Sequence, residues 1–176
     1  MAIVYLIGPR ASGKTTVGAL LARRMHCFLG DTDHYLREVL RCTIAEFVEA
    51  NGWPAFRDAE REAMRAITLD FGRTGTAVIS TGGGIVLKPN NCEYMRENGI
   101  VFYLKAPVDV LAARLAANPE AGQRPSLTGK DPVAEIADVL KEREPLYQAC
   151  AHHVLDATQA PDMLCKAMLA LLPDGD

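Results

Sequence analysis

The chain has 176 residues, 49% of them hydrophobic and 23% charged, a globular composition long enough for one domain with a buried core. Its net charge of −3 gives no basic excess to hold nucleic acid, and no apolar run reaches the length of a membrane span. Five dispersed cysteines (Cys27, Cys42, Cys92, Cys150, Cys165) without a C-x-x-C pair fit small thiols in a reducing compartment better than a disulfide framework or a zinc site. Strand-like sequence begins at once, so no signal peptide is expected and the cytoplasm is the default location.

The first apolar run, Ala2 to Ile7, predicts a strand, and Thr16 to Met25 predicts a helix. Between them, Gly8-Pro9-Arg10-Ala11-Ser12-Gly13-Lys14-Thr15-Thr16 completes the pattern G-x-x-x-x-G-K-[ST]. In such a loop backbone N–H groups curl around phosphate oxygens and the helix N-terminus adds positive charge. Lys14 can then reach the β- and γ-phosphates, and the Thr15 hydroxyl can ligate Mg²⁺. Nucleoside triphosphate binding follows from the loop and its flanks together.

A second strand, 27–31, runs into Asp31-Thr32-Asp33. The carboxyl ends of strands line the ligand crevice of a doubly wound sheet, so both aspartates are expected to face the phosphate loop. Asp31 is the natural metal partner and Asp33 points toward a phosphoryl acceptor; the other role open to Asp33 is to cap a helix beginning near His34. Residues 34–70 hold two or three helices where one crossover would suffice, which predicts an inserted cap over the sheet edge. The third strand, 76–80, leads into Gly82-Gly83-Gly84, where glycine permits positive φ and close backbone approach to a ligand. A fourth strand spans 100–104. Residues 117–131 are a long Pro/Gly-containing loop, expected to be a lid, in which Arg124 can swing onto a transferring phosphoryl group. Apolar spacing predicts helices over 132–149 and from about Pro161 to Leu172, with a fifth strand at 152–156 ending in Asp156. Arg57 and Arg143 have acidic neighbours, and each taken singly reads as a solvated surface residue. Short, nearly continuous apolar strands alternating with helices imply a parallel sheet covered on both faces.

Taken together these pieces resemble the shikimate kinase family. The phosphate loop, Asp31-Thr32-Asp33, Trp53-Pro54-Ala55-Phe56-Arg57, Gly82-Gly83-Gly84, Arg124-Pro125 with Leu127-Thr128-Gly129-Lys130, and Glu142-Arg143-Glu144-Pro145-Leu146-Tyr147 occur in family order from about residue 3 to residue 160. The resemblance implies a three-layer α/β/α P-loop fold of the nucleoside-monophosphate-kinase type, with a five-stranded parallel sheet, a substrate-binding segment at about 34–60 and a lid at about 117–131. It implies transfer of the γ-phosphoryl group of ATP to the 3-hydroxyl of shikimate, a step of chorismate and aromatic amino acid biosynthesis, with Mg²⁺ as cofactor. By it, Lys14, Asp33 and Arg124 are catalytic; Ala11, Ser12, Gly13, Lys14, Thr15, Thr16, Arg114 and Arg124 bind ATP; Thr15 and Asp31 serve Mg²⁺. Asp33, Arg57, Gly82, Gly83, Gly84 and Arg143 would bind shikimate, the two arginines clamping its carboxylate, and residues 156–161 would contact adenine. The expected partners are ATP and shikimate alone, acting on a monomer. Ala11 stands where the family usually has glycine, which costs on the order of 1 kcal/mol if that position needs positive φ. Two other readings are a related kinase for gluconate or a nucleoside monophosphate, and a non-catalytic ATP-binding module. Lys14, Thr15, Asp31 and Arg124 together speak against the latter, since a pure sensor needs no complete transfer apparatus.

Overall fold

The structure, a computed structural model, describes residues 3–72, 75–118 and 132–173; Arg124 and the expected lid from residue 119 onward lie outside the described residues. Along the chain run β1 (Ile3–Ile7), α1 (Lys14–Arg24), β2 (Phe28–Asp31), α2 (Thr32–Leu40), α3 (Ile44–Gly72), β3 (Ala77–Ser80), a 3-10 turn (Ile85–Leu87), α4 (Pro89–Asn98), β4 (Ile100–Lys105), α5 (Val108–Ala117), α6 (Pro132–Cys150), β5 (His153–Asp156) and α7 (Pro161–Leu171).

All strand pairings are parallel, in the order β2-β3-β1-β4-β5. Side-chain alternation on the central strands feeds two separate cores. Val4 and Leu6 of β1 pack with Val17 and Leu21 of α1 and with Leu164 and Met168 of α7. Ile3, Tyr5 and Ile7 face the opposite layer, against Met64 and Ile67 of α3, Met95 of α4 and Tyr147 of α6. A strand covered on both faces has no place for a polar residue, which is why β1 reads as an unbroken apolar run. The five expected strands are therefore all present, within about two residues at their ends.

The inserted segment builds a third, smaller core from Leu36, Ile44, Phe56 and Ala63 beside the edge strand β2. α3 is interrupted at Gly52 (φ 81°, ψ 166°), so the segment contains three helical pieces. Pro54 falls in the first turn of the last piece, where its missing N–H costs little. Between β4 and β5 the sequence pattern assigned one helix; the described residues there form two, because the short α5 buries only Leu111 and Leu115 and gives a weak periodic signal. Among the described residues no helix is long and apolar enough to cross a membrane.

Register then positions the chemistry. Leu6 pairs with Ser80, and Asp31 pairs with the same Ser80 from the other side. The carboxyl ends of β1, β3 and β2 thus deliver the phosphate loop, the glycine triplet and Asp31 to one crevice.

Candidate active site

Gly13 (φ 95°, ψ 13°) caps α1 without a side-chain bond, so the first N–H groups of the helix stay directed at the loop. Lys14 folds over that loop, its Nζ donating to the carbonyls of Gly8 at 2.9 Å and Pro9 at 2.8 Å. Ser12 is buried, and its Oγ lies 3.4 Å from the same ammonium. Ala11 has φ 63°, so the loop does place an alanine in the left-handed region. Arg114 braces the loop from behind. Its Nη2 donates to Ala157 O at 2.7 Å, and Nη1 lies 3.4 Å from Ala11 O, joining the phosphate loop to the turn after β5. In that turn the Asp156 carboxylate accepts from the N–H and hydroxyl of Thr158.

Asp31 does two jobs with two oxygens. Oδ1 accepts the N–H groups of Asp33 and His34 at 3.0 and 3.1 Å, and Oδ2 accepts the Thr15 hydroxyl at 2.9 Å. Helix α2 is therefore capped by Asp31, two residues earlier than the capping role considered for Asp33. That leaves Asp33 inside the first turn, lining the cleft. Next to it Thr32 is buried, and its hydroxyl accepts the Gly82 N–H at 2.9 Å, tying the head of α2 to the glycine triplet.

The triplet meets two arginines. Arg57, in the first turn of the last α3 piece, is paired with the buried carboxylate of Glu60 and lies over the Trp53 ring at 5.0 Å. Its guanidinium rests on Gly84, where a Cβ would fall 2.0 Å from Nη1. Arg143, on α6, donates Nη1 to Gly83 O at 3.2 Å, and the Tyr147 hydroxyl donates to the same oxygen at 2.5 Å. The reading of these arginines as solvated surface residues is overturned: the Arg57 side chain is only 11% exposed and Arg143 8%. Of the two properties expected of the glycine triplet, positive φ and close backbone approach, only the second is used, and against the chain itself. None of the three has positive φ; what the triplet supplies is close approach, to Arg57 at Gly84 and to the Gly8 carbonyl at Gly83. Arg143 Nε is buried and finds no hydrogen-bond partner among the described residues. A buried guanidinium N–H left in that state favours a bound anion.

These groups line one cleft of about 840 Å³, which takes in Lys14, Thr15, Asp31, Asp33, Arg57 and Arg143, together with Thr16 and Gly83. Ala11 and Gly13 also line it, whereas Arg114 works on the far side of the loop. Three contributors received no role from the sequence: Glu60, which lies outside every motif, and Thr32 and Tyr147, which lie within two of them. Glu60 stands three residues after Arg57 and Tyr147 four after Arg143, helical spacings that could have marked them as supports. Burial pushes the Tyr147 phenol up to about 12, so it is a neutral donor. Burial also raises Tyr103, which stacks on Tyr147 with ring centroids 5.0 Å apart and donates to Glu144. Glu144 is raised by burial, but bonds from Lys105, Tyr103 and Gln148 outweigh that and hold it ionised below the usual carboxylate range. Among the described residues no cluster of three or more His, Cys, Asp or Glu could hold a metal. Thr15 and Asp31 remain: a hydroxyl and a carboxylate side by side at the phosphate loop, a hard oxygen pair that fits Mg²⁺, an ion that keeps much of its water.

Comparison with known proteins places this geometry. The shikimate kinase family profile matches residues 10–173. The chain is 48% identical over 169 residues to "Shikimate kinase 2" of Syntrophotalea carbinolica, covering 96% of this chain and 95% of that one. It is 49% identical over 169 residues to "Shikimate kinase" of Oleidesulfovibrio alaskensis, covering 96% of each. Among solved structures, a shikimate kinase from Acinetobacter baumannii in complex with shikimate superposes with a TM-score of 0.87 at 32% identity, covering 97% of this chain and 92% of that one. A gluconokinase from Sinorhizobium meliloti reaches a TM-score of 0.63 at 17% identity over 96% of this chain and 90% of its own, a likeness of fold alone.

Proposed function

The chain belongs to the shikimate kinase family, and on that premise we propose that its cleft transfers the γ-phosphoryl group of ATP to the 3-hydroxyl of shikimate, giving shikimate 3-phosphate and ADP. The observation that carries this reading is the pairing of two nearly buried arginines, Arg57 and Arg143, with a phosphate loop in one cleft. A small acid bearing hydroxyls needs guanidinium forks for its carboxylate and carboxylate or backbone groups for its hydroxyls. Arg57 and Arg143 are assigned the carboxylate, Asp33 the hydroxyls and the nucleophile, and the Gly83 and Gly84 backbone the wall between them, with Gly82 anchoring that wall through Thr32.

On the donor side, the loop backbone from Ala11 to Gly13, the head of α1 and Lys14 cradle the phosphates, with Thr16 beside them. Thr15 and Asp31 are the residues that would hold Mg²⁺, which when bound neutralises charge on the β- and γ-phosphate oxygens. Phosphoryl transfer asks mainly for positioning and charge neutralisation, so Asp33 orients the attacking hydroxyl and accepts its proton without having to be a strong base. Arg114 supports the adenine side of the loop, and Arg124 is assigned the transferring phosphoryl group. We place the protein in the cytoplasm, a reading supported by five free thiols, and assign it as a monomer acting on ATP and shikimate. Product analysis by phosphorus–proton correlation NMR after incubation with ATP, Mg²⁺ and shikimate tests the assignment: phosphate on the 3-hydroxyl is expected, and phosphate on another hydroxyl, or none, overturns it.

A further inference from the structure

At the acceptor end of the cleft, one peptide unit touches both arginines of the clamp. The unit between Gly83 and Gly84 has its oxygen on Arg143, and Gly84 lies under the Arg57 guanidinium. With glycine on either side, no Cβ resists rotation of that peptide, so hydrogen bonds have to impose its direction. Arg143 Nη1 supplies one at 3.2 Å, and the Tyr147 hydroxyl supplies another at 2.5 Å. A carbonyl oxygen has two lone pairs, and here both are taken. Tyr147 itself has little freedom. It is wholly buried and stacks on Tyr103 at an interplanar angle of 21°. Tyr103 in turn donates to Glu144, which Lys105 Nζ and Gln148 Nε2 each meet at 2.7 Å. Tyr147 follows Arg143 by four residues on α6, so the two side chains share a face and reach the same carbonyl. Burial keeps the phenol protonated, and it therefore donates.

We propose that Tyr147 is a positioning residue for the acceptor: its hydroxyl fixes the Gly83 carbonyl and, through it, the guanidinium of Arg143. This role rests on the assignment of Arg57 and Arg143 to the shikimate carboxylate. With Nη1 committed to Gly83 O, Arg143 keeps Nε and Nη2 for the anion, and Nε is buried without a hydrogen-bond partner among the described residues. Without the hydroxyl, Arg143 alone holds the glycine-flanked peptide, and the fork points less steadily at the carboxylate. The groups assigned to the transferring phosphoryl, Lys14 and Asp33, stand on other elements, α1 and α2. Loss of the hydroxyl is therefore felt in acceptor affinity and not in turnover.

Tyr147→Phe tests it, because the variant keeps the ring and its stack on Tyr103 and removes only the hydroxyl. The Kd and KM for shikimate are expected to rise about threefold to tenfold, the worth of one hydrogen bond. The KM for ATP and kcat should stay within about twofold. Trp53, the single tryptophan, lines the same cleft, and its fluorescence reports shikimate binding. In an Arg143→Ala background the same change should add nothing, since it acts through the arginine. One readout needs no substrate: the Arg143 Nε–H signal in nitrogen–proton correlation NMR, assigned by its loss in Arg143→Ala, should broaden in Tyr147→Phe. If the wild-type chain fails to bind shikimate, the acceptor assignment falls, and this signal still decides whether Tyr147 holds Arg143. An unchanged shikimate Kd in Tyr147→Phe, an equal rise in the KM for ATP, effects that add to those of Arg143→Ala, or an equally sharp Nε–H signal would each overturn the proposal.

Discussion

The guanidinium of Arg57 occupies the space that a side chain at residue 84 would need, with Nη1 2.0 Å from where a Cβ would stand on Gly84. Glu60 and Trp53 fix the arginine from its other sides, so it has little freedom to yield. Gly84→Ala is therefore expected to act as a mutation of Arg57. A charge-assisted hydrogen bond is worth roughly 1.5–3 kcal/mol, so the KM for shikimate should rise about 10- to 100-fold in both Gly84→Ala and Arg57→Ala, with the KM for ATP kept within about twofold. Steady-state kinetics in both substrates decide this, and an unchanged shikimate KM in Gly84→Ala removes Arg57 from the pocket.

Asp33→Asn separates the two acidic residues. Asp31 keeps the cap on α2 and the Thr15 contact, so the fold and nucleotide affinity should survive. Turnover is expected to fall by about 100-fold or more, because general acid–base and orienting groups contribute about 10²–10⁴. Single-turnover phosphoryl transfer with nucleotide binding measured in parallel tests it; wild-type turnover contradicts the role.

Ala11 carries a cost of about 1–2 kcal/mol at φ 63°, offset in part by packing of its methyl against the core below the loop. Ala11→Gly should stabilise the chain by up to about 1 kcal/mol, a rise in Tm of about 2–4 °C. Thermal unfolding measures it, and a lower Tm would mean that the methyl contact outweighs the backbone strain.

Alkaline pH should destabilise the chain through its buried phenols. Burial pushes Tyr5 and Tyr147 up to about 12 from an ordinary value of 10.0. The folded chain then holds protons that the unfolded chain releases, so this stabilisation is full below about pH 10 and lost as pH rises toward about 12. The urea midpoint is expected to fall across that window, with tyrosinate absorbance from these residues appearing only on unfolding. Ionisation of Tyr5 and Tyr147 in the still-folded chain near pH 10 would contradict the sign.

The strands were legible because β1, β3 and β4 are buried on both faces and so read as apolar runs; the phosphate loop was legible because its chemistry fixes spacing. What the sequence could not reveal was who partners whom. Asp31 and Asp33 are both good caps by type, and only the structure separates them, by giving Asp31 the N–H groups of Asp33 and His34 and the Thr15 hydroxyl. Arg57 and Arg143 sit among acidic neighbours, as surface residues do, yet the fold buries them on backbone carbonyls and aromatic rings. Gly82-Gly83-Gly84 suggested positive φ or close approach to a ligand, whereas its reason is the closeness of other chain segments, which only tertiary structure creates. α5 went unassigned because ten residues with two buried leucines carry little periodicity.

The central assignment, an acceptor pocket for a carboxylate-bearing polyol beside the phosphate loop, is tested most directly by ADP release. Offered ATP, Mg²⁺ and, in parallel, shikimate, gluconate and nucleoside monophosphates, the protein should turn over with shikimate and remain at background with the others. Turnover with gluconate or a nucleotide and none with shikimate would contradict it.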